Sequence, residues 1–230
     1  MRLIGLLGGM SWQSTAEYYR ILNELVRDRL GGLHSARCVL YSVDFAGVEA
    51  LQAAGRWDEA GALLGEAAKG LEAAGADFVV LCTNTMHKVA GDIESAVGIP
   101  LLHLGDATAE AVKRHDIGTV GLLGTRFTMA EEFYRGRMAE HGLTVLVPDA
   151  EDQRIVNDVI YGELCLGVVR PESRTAYRRI IQRLIDDGAE GIVFGCTEIE
   201  LLVDQSDSGV PVFPTTRLHC EAAVEAAFKP

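Results

Sequence analysis

Short apolar runs rich in β-branched residues alternate along this chain with longer segments of helical period, the pattern of βα units on a parallel sheet. The runs place strands at 3–7, 39–43, 78–82, 100–104, 119–124, 144–148, 192–196 and 212–214. Segments of helical period fall at 14–30, 57–74, 106–115, 129–141, 152–162, 171–187 and 216–228. The second of these is alanine-rich, carries Leu63, Leu64 and Leu71, and stops at Gly75, a suitable C-cap. In the matching place Ile180, Ile181, Leu184 and Ile185 form an apolar stripe ending at Gly188. Met129 and Phe133, four apart, read as core.

The pattern repeats. Ile4-Gly5-Leu6-Leu7-Gly8-Gly9-Met10-Ser11 matches Val120-Gly121-Leu122-Leu123-Gly124-Thr125, and the phrase from Gly75 to Cys82-Thr83 matches the phrase from Gly188 to Cys196-Thr197. Gly8 and Cys82 are 74 positions apart, Gly124 and Cys196 72. This predicts an α/β fold of two like half-domains, 1–104 and 105–211, with the last helix (212–230) packing back on the first. Ligands of such sheets bind beyond the carboxyl ends of strands. All four phrases end there, so the half-domains are expected to face each other with a thiol on either side of a shared cleft. Such a pair suits removal of a proton from one face of a carbon and its return to the other.

Composition narrows the partners. The 230 residues are 48% hydrophobic, enough for real cores, and the formal net charge of −12 argues against nucleic acid or an anionic membrane surface. No apolar run approaches the roughly 18 residues of a membrane span, and the N-terminus enters a strand pattern at once. The expectation is a soluble, cytoplasmic protein. Five cysteines, Cys38, Cys82, Cys165, Cys196 and Cys220, fit no disulfide framework, and no ligand spacing suggests a metal. Cys38 and Cys220 read as small buried apolar residues; Cys165 stays open between that and a role.

A thiolate is favoured at a helix N-terminus, and both Cys82 and Cys196 precede a predicted helical turn. Amides there, with hydroxyls from Thr83, Thr85, Thr125, Thr128 and Thr197 and the amide of Asn84, could bind a carboxylate. The Gly8-Gly9-Met10-Ser11 turn lacks G-x-G-x-x-G spacing, so it is either a tight βα turn or a place where backbone approaches a small ligand. Glu198 either tunes Cys196, binds an ammonium group, or is an ordinary acid of a first helical turn. His87 reads as a capping or surface histidine; Asp44 stays open.

These motifs resemble the aspartate/glutamate racemase family, which racemises amino acids without pyridoxal phosphate. The resemblance rests on Gly8 to Thr15, Cys82-Thr83-Asn84-Thr85-Met86-His87, Gly124-Thr125 with Thr128-Met129, and Gly195-Cys196-Thr197-Glu198-Ile199, in the family's order. Trp12 and the segment Glu163-Leu164-Cys165-Leu166-Gly167 look like its enteric broad-specificity branch. The resemblance implies two pseudo-symmetric flavodoxin-like half-domains, an active site in the cleft between them, a homodimer and no cofactor. It implies Cys82 and Cys196 as the catalytic acid/base pair, Cys196 serving the L isomer and Cys82 the D isomer. Met10, Thr83, Asn84, Thr85, Thr125, Thr128, Thr197 and Glu198 would bind substrate, and Gln52 and Tyr161 would read its side chain. Aspartate-preferring relatives place a lysine where this chain has Cys165, and no lysine occurs between Lys113 and Lys229. Losing that charge-assisted bond, about 1.5–3 kcal/mol, favours neutral or polar amino acids over acidic ones. The alternatives are an aspartate or glutamate racemase, a two-cysteine isomerase of maleate or hydantoin type, and a non-catalytic amino-acid binder.

Overall fold

Side chains on successive strand residues point to opposite faces of a sheet, and the first strands are apolar on both. In the computed structural model, which describes residues 1–229, the chain divides into two units: Met1–Leu104 with the chain from His219 onward, and Gly105–Leu218.

The first unit contains β1 (Ile4–Gly8), α1 (Trp12–Leu30), β2 (Cys38–Ser42), α2 (Phe45–Ala53), α3 (Trp57–Ala73), β3 (Phe78–Leu81), a 3-10 turn at Thr85–Val89, α4 (Ala90–Ala96) and β4 (Leu101–Leu102). Its sheet is parallel, ordered β2-β1-β3-β4. Leu7, Val79 and Leu81 pack with Leu64, Ala68 and Leu71 of α3 on one face. Ile4, Leu6, Phe78, Val80 and Cys82 face the other way, against Tyr18, Ile21, Leu22 and Val26 of α1 and Cys220, Ala223 and Val224 near the C-terminus. Both faces are covered, which is why these strands read as continuous apolar runs.

The second unit continues from α5 (Leu104–Lys113) through β5 (Thr119–Gly124), α6 (Arg126–Ala130), α7 (Glu132–Glu140), β6 (Thr144–Leu146), α8 (Ala150–Gly162), a 3-10 turn at Leu164–Leu166, α9 (Pro171–Asp186), β7 (Gly191–Gly195), 3-10 turns at Thr197–Leu201 and Gln205–Asp207, β8 (Val212–Pro214) and the start of α10 (Thr215–Phe228). Its parallel sheet is ordered β6-β5-β7-β8, the same order as the first. Leu123, Ile192 and Phe194 pack on Val156 and Ile160 of α8 and Ile180, Ile181 and Leu184 of α9. Asp152, nearly buried in α8, accepts from Arg179 (2.6 Å) and Arg183 (2.8 Å), tying α9 alongside.

Several elements differ from their sequence expectations. Helices α2 and α4 appear where no element was assigned from sequence; α2 is started by the Asp44 carboxylate, which accepts from Ala46 N–H (3.2 Å), a capping role for that residue. The expected helix at 129–141 is two helices, because Glu131 is extended (φ −97°, ψ 155°). The break turns Tyr134, not Phe133, into the core. Strands β3 and β7 stop one residue short of Cys82 and Cys196.

Candidate active site

In the order β2-β1-β3-β4 the chain leaves β1 in opposite directions to reach β2 and β3. The loops beyond β1 and β3 therefore flank a topological switch point, the place where such sheets bind ligands. In the first unit this place holds the turn after Gly8 and the segment Cys82–Thr85. Thr15, in the first turn of α1, lies over it: its hydroxyl donates to Ser11 O (2.9 Å) and accepts from Gly9 N–H (2.8 Å). A Cβ on Gly8 would meet Thr15 at 2.4 Å, and one on Gly9 (φ +97°) would sit 2.2 Å from the Val43 carbonyl oxygen. The small residues of this turn are thus required by packing. Ser14 donates from its hydroxyl to Cys82 O (3.3 Å), and Cys82 N–H to Leu7 O (2.9 Å). Neither Ser14 nor Thr15 was singled out as a site residue, although both stand directly behind the glycine turn in sequence.

Of the expected recognition residues here, Met10, Asn84 and Thr85 are buried and Thr83 is partly exposed. Gln52 is buried in α2, its side-chain amide 2.7 Å from the Met86 sulfur. His87 corrects the expectation of a surface or capping side chain: it is buried, with the His103 ring 4.6 Å and the His219 ring 5.9 Å away between centroids.

In the second unit the corresponding switch point lies between β5 and β7. Thr125 caps α6, accepting from Thr128 N–H (3.3 Å), with the two hydroxyls 3.2 Å apart. Cys196 follows β7 directly, and its thiol donates to Glu198 Oε2 (3.0 Å). Thr197 and Thr216 are 3.0 Å apart through their hydroxyls; Thr216 was not expected at the site. Tyr161 and Cys165 are partly buried against the same apolar cluster as Cys196. Arg174, close in sequence to the missing lysine, is held by both oxygens of Asp207 (3.0 and 2.8 Å).

Strand register sets the two cysteines one position apart. Leu7 pairs with Leu81 in the first sheet and Leu123 with Phe194 in the second. Since Leu7 and Leu123 are equivalent, Leu81 is equivalent to Phe194, Cys82 to Gly195, and Thr83 to Cys196. The strand starts agree: Asp77 accepts from Leu3 N–H (2.5 Å) as Glu190 accepts from Thr119 N–H (2.9 Å). Face parity agrees as well. Cys196 packs on the α9 side with Ile192 and Phe194, whereas Cys82 lies on the α1 side with Phe78 and Val80, away from α3. Cys82 is 0% exposed and its thiol donates to Val80 O (3.6 Å). Thr83 takes the position that Cys196 takes in its own sheet.

Protonation follows burial. The expected helix-terminus stabilisation of thiolates is outweighed, because desolvation penalises the charged form and the turns that follow are short. Burial, with the nearby Cys38, pushes the Cys82 thiol far up. Burial, then the Glu198 charge and its hydrogen bond, pushes Cys196 up well beyond the ordinary thiol range. Cys165 is pushed up to about 12 by burial and by Glu198. Each unit thus carries a protonated hydroxyl or thiol at the end of its third strand, beside a cap of small hydroxyls.

Two parallel α/β units share one strand order, and each carries a cysteine directly after its third strand. The chain belongs to the Asp/Glu/hydantoin racemase family, a family of isomerases, whose sequence pattern it matches over residues 7–223. It is similar to a candidate Asp/Glu racemase from Yersinia pestis (55% identity, TM-score 0.95, all of both chains). It is also similar to an aspartate racemase homologue from Pyrococcus horikoshii OT3 (33% identity, TM-score 0.88, all of both chains). A broad-specificity amino-acid racemase of Bacillus subtilis is 24% identical over 157 residues, 67% of this chain and 66% of that protein, just under two thirds of its length. No helix among the described residues is long and apolar enough to cross a membrane.

Proposed function

We propose that this protein racemises free amino acids without pyridoxal phosphate, by 1,1-proton transfer at Cα. The observation that carries the reading is a cysteine directly after the third strand of each sheet, Cys82 after β3 and Cys196 after β7, each at its switch point. Cys196 abstracts the α-proton of one enantiomer. Its own proton first passes to Glu198, which already accepts the thiol hydrogen bond. Cys82, as thiol, supplies the other proton, which requires it to leave its bond to Val80 O. Amides and hydroxyls of the turns stabilise the enolate-like charge, the large electrostatic component of such reactions.

The substrate class is neutral or polar amino acids. Support comes from the absence of lysine between Lys113 and Lys229, and from Asp207 engaging Arg174. The proposed assembly is a homodimer, which light scattering would read directly.

The test is α-proton exchange in D2O with pooled L and D amino acids, no added cofactor, followed by NMR. Wild type exchanges and inverts. Cys196→Ala loses inversion. Cys82→Ala likewise loses inversion. Two-way turnover by either single variant with an intact fold would sink the two-cysteine mechanism.

A further inference from the structure

A parallel ladder advances by alternation. Once a residue of one strand has donated to a carbonyl on its neighbour, its own carbonyl accepts from the N–H two residues further along that neighbour. Cys82 N–H donates to Leu7 O (2.9 Å), so the next rung between β1 and β3 would run from Gly9 N–H to Cys82 O. Gly9 N–H donates instead to the Thr15 hydroxyl (2.8 Å), and Cys82 O accepts from the Ser14 hydroxyl (3.3 Å). Two adjacent side chains in the first turn of α1 thus stand in for one backbone bond, Thr15 satisfying its donor and Ser14 its acceptor.

Ser14 is 4% exposed, and its backbone N–H donates to the Ser11 cap of α1 (3.2 Å). Thr128 holds the same place after the cap of α6, where its N–H donates to Thr125 (3.3 Å) and its hydroxyl lies 3.2 Å from the Thr125 hydroxyl. In the first unit the equivalent hydroxyl reaches across to the third strand and engages the carbonyl of a reacting residue. The Cys82 backbone is therefore tied on both sides of its Cα, through its N–H by Leu7 and through its carbonyl by Ser14. Its thiol, bonded to Val80 O, must leave that bond to act. With the backbone tied, the thiol changes partner by rotation about Cα–Cβ, from one staggered position to another.

We propose that Ser14 is a positioning residue for Cys82, its hydroxyl fixing the Cys82 carbonyl and so the pivot about which the thiol turns towards substrate. The inference rests on the assignment of Cys82 as the second acid made above. A carbonyl released from Ser14 lets the peptide between Cys82 and Thr83 rotate. Displacement of a reacting group by about 1 Å costs on the order of 100-fold in rate. The bond from Ser14 is a long one, so the displacement it prevents is smaller and the loss expected is about tenfold.

Ser14→Ala removes the hydroxyl and keeps the N–H that donates to Ser11, so the cap of α1 persists. It is expected to lose about tenfold in kcat for inversion, with KM little changed. In a Cys82→Ala background Ser14→Ala is expected to cost nothing further in the α-proton exchange catalysed by Cys196, since residues acting through one another are not additive. Equal losses in both backgrounds would overturn the proposal, as would full inversion by Ser14→Ala. Alkylation by iodoacetamide at alkaline pH, read by mass spectrometry, probes the same contact without substrate. Labelling of a buried thiol proceeds through local opening, so Ser14→Ala should label Cys82 about tenfold faster than wild type does. Cys220, buried in the same apolar cluster, should label at an unchanged rate. A parallel rise at both cysteines, or none at Cys82, would overturn the proposal. Wild-type protein supplies a further measurement, scalar coupling across hydrogen bonds in NMR, which should join the Cys82 nitrogen to the Leu7 carbonyl carbon. A coupling from the Gly9 nitrogen to the Cys82 carbonyl carbon would overturn the proposal whether or not the variant folds. If wild type exchanges no amino acid at all, the racemase reading fails, while the labelling and coupling measurements still decide what Ser14 holds.

Discussion

The two thiols have different partners, Cys196 donating to the Glu198 carboxylate and Cys82 to a backbone carbonyl. Glu198 acts on Cys196 through charge and a hydrogen bond, both of which hold the thiol protonated. Glu198→Gln should therefore lower the Cys196 pKa and move thiolate formation, followed by absorbance near 240 nm, to lower pH. An unchanged or higher midpoint would exclude Glu198 as the controlling charge. The pairing of Thr83 with Cys196 could be read from the chain by counting eight positions from Gly75 and from Gly188. Shared residue type does not show this one-position offset, because register is set by the strand.

Among the elements, the tightest constraint is the turn joining β1 to α1. Gly9 combines a left-handed φ of +97° with a Cβ position 2.2 Å from a backbone oxygen. Neither can relax without moving β2, so Gly9→Ala should cost about 3 kcal/mol or more, measured by chemical denaturation. Gly31→Ala, also left-handed (φ +76°) but with open space around its Cβ, should cost about 1 kcal/mol. Equal effects would show that backbone strain alone, and not close approach, governs the turn. The strands and the long helices were legible because their apolar periods are unbroken over many residues. The short α2 and α4 were not, since two turns carry little periodic signal, and the split at Glu131 was invisible because one extended residue leaves the polar pattern unchanged.

At the scale of the whole molecule, stability should depend on pH through buried histidines. Burial lowers His219 from 6.5 to about 4, so the unfolded chain binds a proton through that window while the folded protein does not. Its contribution is complete above about pH 6.5 and is lost as pH falls towards 4, up to about 3 kcal/mol. Thermal melts between pH 7 and 4 should show this loss, and His219→Gln, which keeps a donor for Leu102 O, should flatten it. A wild-type melting temperature independent of pH across the window would rule out a buried neutral His219.

Local sequence by itself determined the alternating βα pattern, both parallel sheets, the repeat and the switch-point turns. Each follows from short-range periodicity and from glycines that tolerate a close approach, and the family follows from those same motifs. Only the tertiary structure decided which face of its sheet each side chain occupies. A shift of one residue in strand register exchanges the two faces, and this placed Cys82 in the α1 core and Thr83 at the strand end. Likewise only folding brought His87, His103 and His219 together, from places 16 and 132 positions beyond the first of them. Contacts that distant carry no local pattern, and burial is what fixes their protonation.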